Sequence, residues 1–341
     1  MTLENRSAAL RELLHHRSSL VGQVGGTTNC VRLCAGLADG IEGMLVDRFG
    51  PLILVVDYSE PTEPTGETFT ARGLLGLLQQ HLPNHYVVAK VRATSDGANG
   101  FSADFAAPGA GLAAGEVLQG HERGLIYEIG TDPAHDFGIF LDAAKARAFV
   151  RTTARGKRVL NLFSYAGAFG IAAAAGGAAD VVNVDPNRTY LAWSLRNAAL
   201  NGVNMRVLPD TTQDFLGKHL RRLGRNPQTP GFDLVVVDPP AFCVGRGDER
   251  LMRLLWPQIF DALRIMKPQQ VLLLCNDKYF RNRQSFPELV QMELGSLYSF
   301  SRLGTCFTAN DLSQENPVLT WTPSVEDPHY LEPVVLAGAL I

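Results

Sequence analysis

The sequence predicts an α/β protein in which a doubly wound, mostly parallel sheet follows a smaller N-terminal α+β domain. The stretch Val159–Asp185 indicates a strand, a glycine turn, a short helix and a second strand that ends in a carboxylate. From residue 124 onwards, strand-like and helix-like runs alternate, which is typical of a parallel sheet covered on both faces. The chain ends on strand-like runs with no helix between them, which predicts an antiparallel hairpin that closes the sheet.

Length and composition fit a two-domain globular protein. The chain has 341 residues, of which 46% are apolar and 19% are charged, and both fractions are ordinary. No apolar run is long enough to span a membrane, and the amphipathic N-terminus does not resemble a signal peptide. The five cysteines have no metal-ligand spacing, and the eight histidines form no ligand pattern. We therefore expect no metal and a cytoplasmic protein with reduced thiols.

The charge balance is slightly acidic. A net charge of −3 and a pI of about 6.2 argue against a large nucleic-acid footprint. Two basic clusters stand out from this background, and their members are Arg221, Arg222, Arg225, Lys278, Arg281 and Arg283. Each cluster could be a local basic face or an ordinary solvated loop or helix end.

The first part of the chain predicts a helix and then a small α+β domain. The helix covers residues 1–18 and places Leu10, Leu13 and Leu14 on its apolar side. The predicted strands are Val31–Leu33, Gly43–Asp47, Leu52–Asp57 and Tyr86–Val91, with a helix at Thr70–Leu82. A turn at Asp47–Gly50 would join the second and third strands, and residues 93–115 are expected to form a loop-rich connection. We assign residues 1–18 to an N-terminal helix, 19–120 to the small domain and 121–341 to the larger domain.

The larger domain follows in alternating elements. The predicted strands are Gly124–Gly130, Val159–Phe163, Val181–Val184, Arg206–Pro209, Asp233–Asp238, Val271–Leu274, Ser301–Thr305, Pro317–Trp321 and Val334–Leu340. The predicted helices are Ala143–Thr152, Ala168–Ala175, Pro186–Asn201, Phe215–Leu223, residues 249–265 and Ser285–Met292. Asp142 is a candidate N-cap for the first of these helices.

The turn after Phe163 and the carboxylate of Asp185 together predict a nucleoside-binding site. Small residues let the helix lie close to the sheet, Gly167 lets the backbone approach a ligand, and Asp185 can accept both ribose hydroxyls. Only Gly167 and Gly170 occupy the turn, so the G-x-G-x-x-G pattern of a pyrophosphate site is absent. The pattern favours a ligand without phosphate, of which S-adenosylmethionine is the commonest. The alternative is a βαβ unit that binds no ligand.

A second candidate segment, Asp238-Pro239-Pro240, follows a strand whose unbroken apolar run suits burial on both faces. Ligands of open α/β sheets bind at this edge. The two prolines fix the turn, so the carboxylate is held rigidly there. By itself the segment could be an ordinary proline turn, but D-P-P-x-F is far more specific when it follows the L-N-L-F-S-Y turn in the same domain.

Several motifs together resemble the bacterial large-subunit ribosomal RNA methyltransferase family. They are V-L-N-L-F-S-Y-A-G-A-F-G from Val159, V-D-P-N-R-T-Y-L-A-W from Val184, D-P-P-A-F from Asp238, F-G-I-F-L-D from Phe137 and P-V-L-T-W from Pro317. The resemblance runs from about Val31 to the C-terminus. The family includes enzymes that make 5-methylcytosine and enzymes that make N7-methylguanine.

The resemblance implies a class I, Rossmann-like S-adenosylmethionine-dependent methyltransferase. The cofactor-binding residues that it implies are Phe163, Ser164, Tyr165 and Gly167 around the methionine end, Asp185 and Arg188 at the ribose, and Asp210 or Thr211 near the adenine amino group. Asp238, Pro239 and Pro240 would face the methionine ammonium and the methyl group. The implied catalytic residues are these three together with Asn276 and Lys278.

Two departures from the family concern RNA recognition. The family's N-terminal PUA RNA-binding domain is not found, because the small domain begins close to the N-terminus of this sequence. The arginine of the family's L-D-x-R motif is replaced by Ala144, although Arg147 keeps a later basic position.

A third departure concerns the acceptor atom. Cytosine C5 is a poor nucleophile and needs a thiolate to add at C6 first, but Asn276 stands where the cytosine-modifying members have that cysteine. Cys275 lies one position early, which would turn its side chain away, and Cys243 has no evident activating neighbour. Guanine N7 is already nucleophilic and needs only positioning, which Asn276 and Lys278 could supply.

We therefore expect a cytoplasmic methyltransferase that acts on an RNA base, with a nitrogen acceptor such as guanine N7 favoured over cytosine C5. One alternative is a methyltransferase of a small-molecule metabolite, which the acidic balance and the missing PUA domain would suit. The other is a non-catalytic accessory protein that binds S-adenosylmethionine, against which Asp185 and Asp238 argue. A homodimer could form through the apolar segment Val334–Ile341, unless that segment is a core strand.

Overall fold

The computed structural model of the chain describes residues 8–15, 17, 27–57, 75–76, 78–79, 84–92, 101–106, 117–131, 137–240, 249–275, 286–303 and 334–341. These residues divide into two compact units, and the chain passes from the first to the second between Asp142 and Ala143. The sequence-based domain limits of 1–18, 19–120 and 121–341 stay predictions.

The first unit contains a five-stranded sheet whose strands follow one another in chain order. They are β1 (Cys30–Ala35), β2 (Met44–Phe49), β3 (Leu52–Asp57), β4 (Tyr86–Arg92) and β5 (Phe101–Ala106). Neighbouring strands are antiparallel except β3 and β4, which are parallel. The predicted hairpin of β2 and β3 is confirmed, but its turn is Gly50-Pro51 and not Asp47–Gly50, because the backbone ladder continues to the pair Phe49–Leu52.

Two further strands correct the sequence-based picture of this unit. Residues 93–115 were expected to be loop, but Phe101–Ala106 pairs with β4 along its whole length. The strand predicted at Gly124–Gly130 is one arm of a hairpin, formed by β6 (Leu118–Glu122) and β7 (Leu125–Ile129). The predicted N-terminal helix is confirmed for residues 8–15 and 17, where Leu10 and Leu14 are buried against the sheet.

The second unit contains a seven-stranded sheet in the order β10-β9-β8-β11-β12-β14-β13. Its strands are β8 (Arg158–Leu162), β9 (Asp180–Val184), β10 (Arg206–Leu208), β11 (Leu234–Val237), β12 (Gln270–Cys275), β13 (Tyr298–Leu303) and β14 (Val334–Leu340). The first five in spatial order are parallel, and β14 runs antiparallel to both of its neighbours. The apolar segment from Val334 is therefore an internal strand of the sheet, which explains its composition without a partner molecule.

Helices cover both faces of this sheet. They are α1 (Ala144–Thr153), α2 (Ala168–Ala175), α3 (Arg188–Leu200), α4 (Thr212–Arg225), α5 (Glu249–Met266) and α6 (Phe286–Leu294). Successive residues of a strand point to opposite faces, so Val235 packs in the core with α4, α5 and α6 while Val236 packs in the core with α1 and α2. The predicted doubly wound α/β fold is confirmed.

The start of α1 differs from the prediction. Asp142 was expected to cap the helix, but it lies inside a 3₁₀ turn, Leu141–Ala143, and the N-cap position falls on Ala143, which makes no side-chain capping bond. Within the described residues, no helix combines the length and the apolar character needed to cross a membrane.

Candidate active site

The turn between β8 and α2 is held in an unusual backbone conformation. Phe163, Tyr165 and Gly167 all have positive φ angles, of 57°, 47° and 84°. The left-handed region is costly for residues with a side chain, by about 1–3 kcal/mol each, and such residues gather at functional sites. Backbone hydrogen bonds from Ser164 N to Val184 O at 3.0 Å and from Gly167 N to Ser164 O at 2.8 Å fix the turn against the end of β9.

Asp185, the residue after β9, binds the same turn. Its Oδ2 accepts a hydrogen bond from the backbone N–H of Tyr165 at 3.0 Å, and its Oδ1 accepts one from that of Asn187 at 2.8 Å. Burial raises the pKa of Asp185, and these two hydrogen bonds oppose the rise. Each carboxylate oxygen has two lone pairs, so both oxygens retain an acceptor site after these contacts. The side chain can therefore accept two adjacent hydroxyl groups, as the ribose prediction requires.

A chain of buried polar side chains supports the turn from below. Asn161 on β8 and Asn183 on β9 are aligned across the sheet, and Nδ2 of Asn161 donates to Oδ1 of Asn183 at 2.9 Å. Nδ2 of Asn183 donates in turn to Oγ of Ser194 on α3 at 3.1 Å. From the same helix, Asn197 donates to the carbonyl of Ala166 in the turn at 3.1 Å. All four of these side chains are at most 1% exposed.

The glycines of the turn make room for this polar chain. A Cβ at Gly170 would lie 2.6 Å from Nδ2 of Asn183, and one at Gly167 would lie 2.8 Å from Cβ of Ser194. Both distances are far below van der Waals contact. Close packing of α2 on Asn183 and Ser194 therefore requires glycine at both positions, independently of any ligand.

The side chain of Tyr165 is held by two aromatic residues of α3. Its ring lies edge-on to that of Tyr190 at 4.6 Å and to that of Trp193 at 5.8 Å between centroids. The backbone of Tyr165 contacts Asp185, while its ring packs against α3, and its role in cofactor binding stays a prediction. Arg188, the first residue of α3, is exposed beside Asn187, whose side chain caps this helix.

The residues predicted near the adenine lie at the end of β10. The carboxylate of Asp210 accepts a hydrogen bond from Nζ of Lys218 at 2.6 Å. Thr211 is the N-cap of α4, and its Oγ1 accepts a hydrogen bond from the backbone N–H of Asp214 at 3.1 Å. These contacts give Thr211 a structural role as a helix cap. Parallel strands end at one edge of a sheet, so Asp210 and Asp185 follow strands that end at the same edge.

Asp238, Pro239 and Pro240 follow β11 at this edge, next to the end of β8. Asp238 is half-buried, Pro239 is buried and Pro240 is exposed. Asn276, Lys278 and Cys243 lie outside the described residues, and so do Arg281 and Arg283. Cys275 is described: it is the last residue of β12, and its side chain is buried in the core formed with α5 and α6. That Cys275 turns away from the site stays a prediction.

The polar groups at this edge suit a nucleoside that carries a polar amino-acid tail. Asp185 offers two acceptor oxygens for a diol, and Oγ of Ser164 is buried without a hydrogen-bond partner in the described part of the chain. A buried hydroxyl without a partner costs free energy, and a ligand group that bonds to it removes that cost. Among the described residues, no group of three or more His, Cys, Asp or Glu side chains could hold a metal ion.

The strand order, the strained turn and the carboxylate after β9 are the features of an α/β protein that binds a nucleoside. A family profile described as S-adenosylmethionine-dependent methyltransferase matches residues 102–278, which is more than half of the chain. The chain belongs to this family, and S-adenosylmethionine is the cofactor of the family.

Curated relatives carry more specific names. Ribosomal RNA large subunit methyltransferase K/L of Alteromonas mediterranea is 31% identical over 268 residues, which cover 74% of this chain and 35% of the relative. Ribosomal RNA large subunit methyltransferase I of Yersinia pseudotuberculosis is 28% identical over 261 residues, which cover 72% of this chain and 60% of the relative. The chain thus spans between about one third and three fifths of the length of these relatives. The predicted resemblance to the large-subunit ribosomal RNA methyltransferases is confirmed.

A solved structure shares the fold. The crystal structure of SMU.776, solved in complex with SAH, aligns with a TM-score of 0.72 at 21% sequence identity and covers 99% of this chain and 82% of that one. At this level of identity the likeness concerns the fold alone.

Sequence reasoning missed the polar chain beneath the turn. Asn161 and Asn183 each interrupt an apolar strand one residue before its end, and this repeated interruption is the signal that could have revealed them. Polar side chains at matching positions of two buried strands are expected to form hydrogen bonds with one another, because burying a polar group without a hydrogen-bond partner is costly.

Proposed function

We propose that the protein transfers a methyl group from S-adenosylmethionine to a base of RNA, with guanine N7 favoured over cytosine C5 as the acceptor. The observation that carries the proposal is the carboxylate of Asp185, which is held against the strained turn by the backbone of Tyr165 and keeps an acceptor site on each oxygen. The names of the curated relatives support ribosomal RNA as the substrate.

The residues of the site would hold and orient the cofactor. Asp185 accepts the ribose hydroxyls, and Oγ of Ser164 bonds to the methionine end. Asp238 and the rigid turn of Pro239 and Pro240 face the ammonium group and the path between donor and acceptor. S-adenosylmethionine supplies the electrophilic methyl group, and the chain contributes chiefly by placing the acceptor in line with it.

The choice of a nitrogen acceptor rests on the cysteines. Methylation at cytosine C5 needs a thiolate within reach of C6, and Cys275 is only 3% exposed, in the core. Asn276 and Lys278 follow it directly in sequence. An amide and an ammonium group would hold a guanine by its hydrogen-bonding edge without forming a covalent bond.

A methylation assay on ribosomal RNA tests the proposal. The full chain is incubated with unmodified large-subunit RNA and labelled S-adenosylmethionine, and the product is digested to nucleosides and separated. We expect labelled N7-methylguanine. Labelled 5-methylcytosine would refute the nitrogen preference, and an unlabelled RNA would refute the RNA substrate.

The same assay separates the other hypotheses. Transfer to small molecules of a cell extract without transfer to RNA would favour a metabolite enzyme, and cofactor binding without any transfer would favour an accessory protein. The cytoplasmic location and the homodimer stay predictions.

A further inference from the structure

Arginine side chains gather at the edge of the large sheet that lies opposite Asp185. Helix α4 begins after the carboxyl end of β10 and ends shortly before the amino end of β11. Its last turns therefore lie at the amino edge of the sheet, where β8 begins with Arg158 and β10 begins with Arg206. We call Arg158, Arg206, Arg221, Arg222 and Arg225 the amino-edge cluster.

Observed contacts connect Arg158 with Arg206 and with helix α4. Arg158 and Arg206 share one carboxylate, that of Asp180, with distances of 3.4 Å from Nη2 of Arg158 and 3.0 Å from Nε of Arg206. The guanidinium of Arg158 also lies over the ring of Phe232, 5.2 Å from its centroid. The ring of Phe232 also packs against that of His219 on α4, with 5.2 Å between the ring centroids. Arg158 and Arg206 are therefore linked through Asp180, and Arg158 is linked to α4 through Phe232 and His219.

Positive charge exceeds negative charge in this region. Arg221, Arg222 and Arg225 are exposed and form no ion pair in the described part of the chain. Asp180 and Asp233 are the carboxylates that contact the arginines or the neighbouring Lys157 among the described residues. This excess stands out because the chain as a whole has a net charge of −3.

Helix electrostatics accounts for part of the pattern but not for all of it. Cations in the last turn of a helix are stabilised by the helix dipole, which suits Arg222 and Arg225. The dipole does not explain why Arg158 and Arg206, at the starts of two strands, share a single carboxylate beside them.

We infer that the amino-edge cluster binds the phosphate backbone of the RNA substrate, an inference that rests on the proposed function. Guanidinium groups bind phosphate oxygens in a bidentate manner and are preferred where nucleic acid is recognised. A five-residue strand spans roughly 17 Å, and a folded RNA is long enough to reach both edges of such a sheet. Because the cluster is remote from the transferred methyl group, it contributes to RNA binding and not to the chemical step.

The test compares two variants of the full chain. The double variant R222Q/R225Q removes two charges from the cluster, and the control R11Q removes one exposed charge from the first unit. Glutamine has nearly the helix propensity of arginine, so α4 is preserved. Binding to a large-subunit RNA fragment is measured by fluorescence anisotropy over a range of salt concentrations, and methyl transfer is measured at steady state.

For R222Q/R225Q we expect the slope of log affinity against log salt to fall by about 2, because each phosphate contact contributes about 0.9. If the two proteins bind RNA equally well at 1 M salt, this difference in slope makes the variant bind roughly 60-fold more weakly than the unmutated chain at 0.1 M salt. The KM for RNA should rise, while kcat and the affinity for S-adenosylmethionine stay unchanged. The control R11Q should leave the slope and KM as they are.

Two results would overturn the inference without touching the proposed function. One is a normal salt slope and KM for R222Q/R225Q in a protein that methylates RNA, and the other is a loss of the same size per removed charge for R11Q. An unmutated chain that transfers no methyl group to RNA would instead refute the proposed function. If R222Q/R225Q unfolds, the single variant R221Q repeats the test with an expected change in slope of about 1.

Discussion

Replacing Gly170 with alanine should destabilise the second unit by about 2–4 kcal/mol. Alanine in a helix is favoured over glycine by about 1 kcal/mol, so helix propensity alone predicts a gain. The new Cβ would, however, lie 2.6 Å from Nδ2 of Asn183 in a site with no free space. Overpacking costs about 1–3 kcal/mol, and displacing the amide weakens its bonds to Asn161 and Ser194, each worth about 1 kcal/mol.

Thermal unfolding of the cofactor-free chain measures this effect, with Gly217→Ala as the matched control. Gly217 also lies inside a helix, but a Cβ there would meet only Nη1 of Arg221, at 3.5 Å. We expect Tm to fall by roughly 5–15 °C for Gly170→Ala and to stay or rise slightly for Gly217→Ala. Addition of Asn183→Ala removes the collision, so the two changes should cost less than their sum. An unchanged or higher Tm for Gly170→Ala would refute the packing argument.

Further predictions concern three side chains. Asp185→Ala should weaken S-adenosylmethionine binding by about 10²–10⁴-fold, because two hydrogen bonds to a charged group are worth about 3–6 kcal/mol. Calorimetry measures this affinity. An unchanged affinity would refute the assignment of Asp185 to the ribose. Because burial raises the pKa of Asp185, cofactor affinity should increase as pH rises through that pKa, while the contribution of this carboxyl to stability declines over the same window. Cys275→Ala should keep kcat and lose only about 1 kcal/mol of stability, and a loss of methyl transfer would reveal a catalytic thiol. Burial between Phe215 and Phe232 lowers the pKa of His219. The protein should therefore lose stability as pH falls below about 6.5, because the unfolded chain takes up a proton there more readily than the folded one. His219→Leu should flatten that part of the pH–stability curve.

Much of the large domain could be predicted because local signals agree with the fold. The bounds of α2 were predicted to the residue, since an alanine-rich run lies between a glycine turn and Gly176. Strands β8, β9 and β11 could be predicted because their sequences are short, nearly unbroken apolar runs. Such runs are typical of strands that are buried on both faces.

The missed features depend on partners that are distant in sequence. Strand β5 has a short alternating pattern, F-S-A-D-F-A, which becomes a strand because the edge of β4 is available to it. The pair of Asn161 and Asn183 depends on the register between β8 and β9, which a single sequence does not specify. Asp142 satisfied the composition rule for an N-cap, but a 3₁₀ turn moved the start of the helix by one residue.

The glycine turn shows how a prediction can rest on an incomplete reason. Gly167 was assigned to backbone contact with a ligand, yet its positive φ and its packing against Ser194 already require glycine. What points to a ligand is the strain at Phe163 and Tyr165, which glycine does not relieve. Asp185 and Asn197 hold this strain in place from two sides through the backbone of Tyr165 and Ala166. The site therefore has its shape before a nucleoside arrives, so binding does not need to bear the cost of ordering the turn.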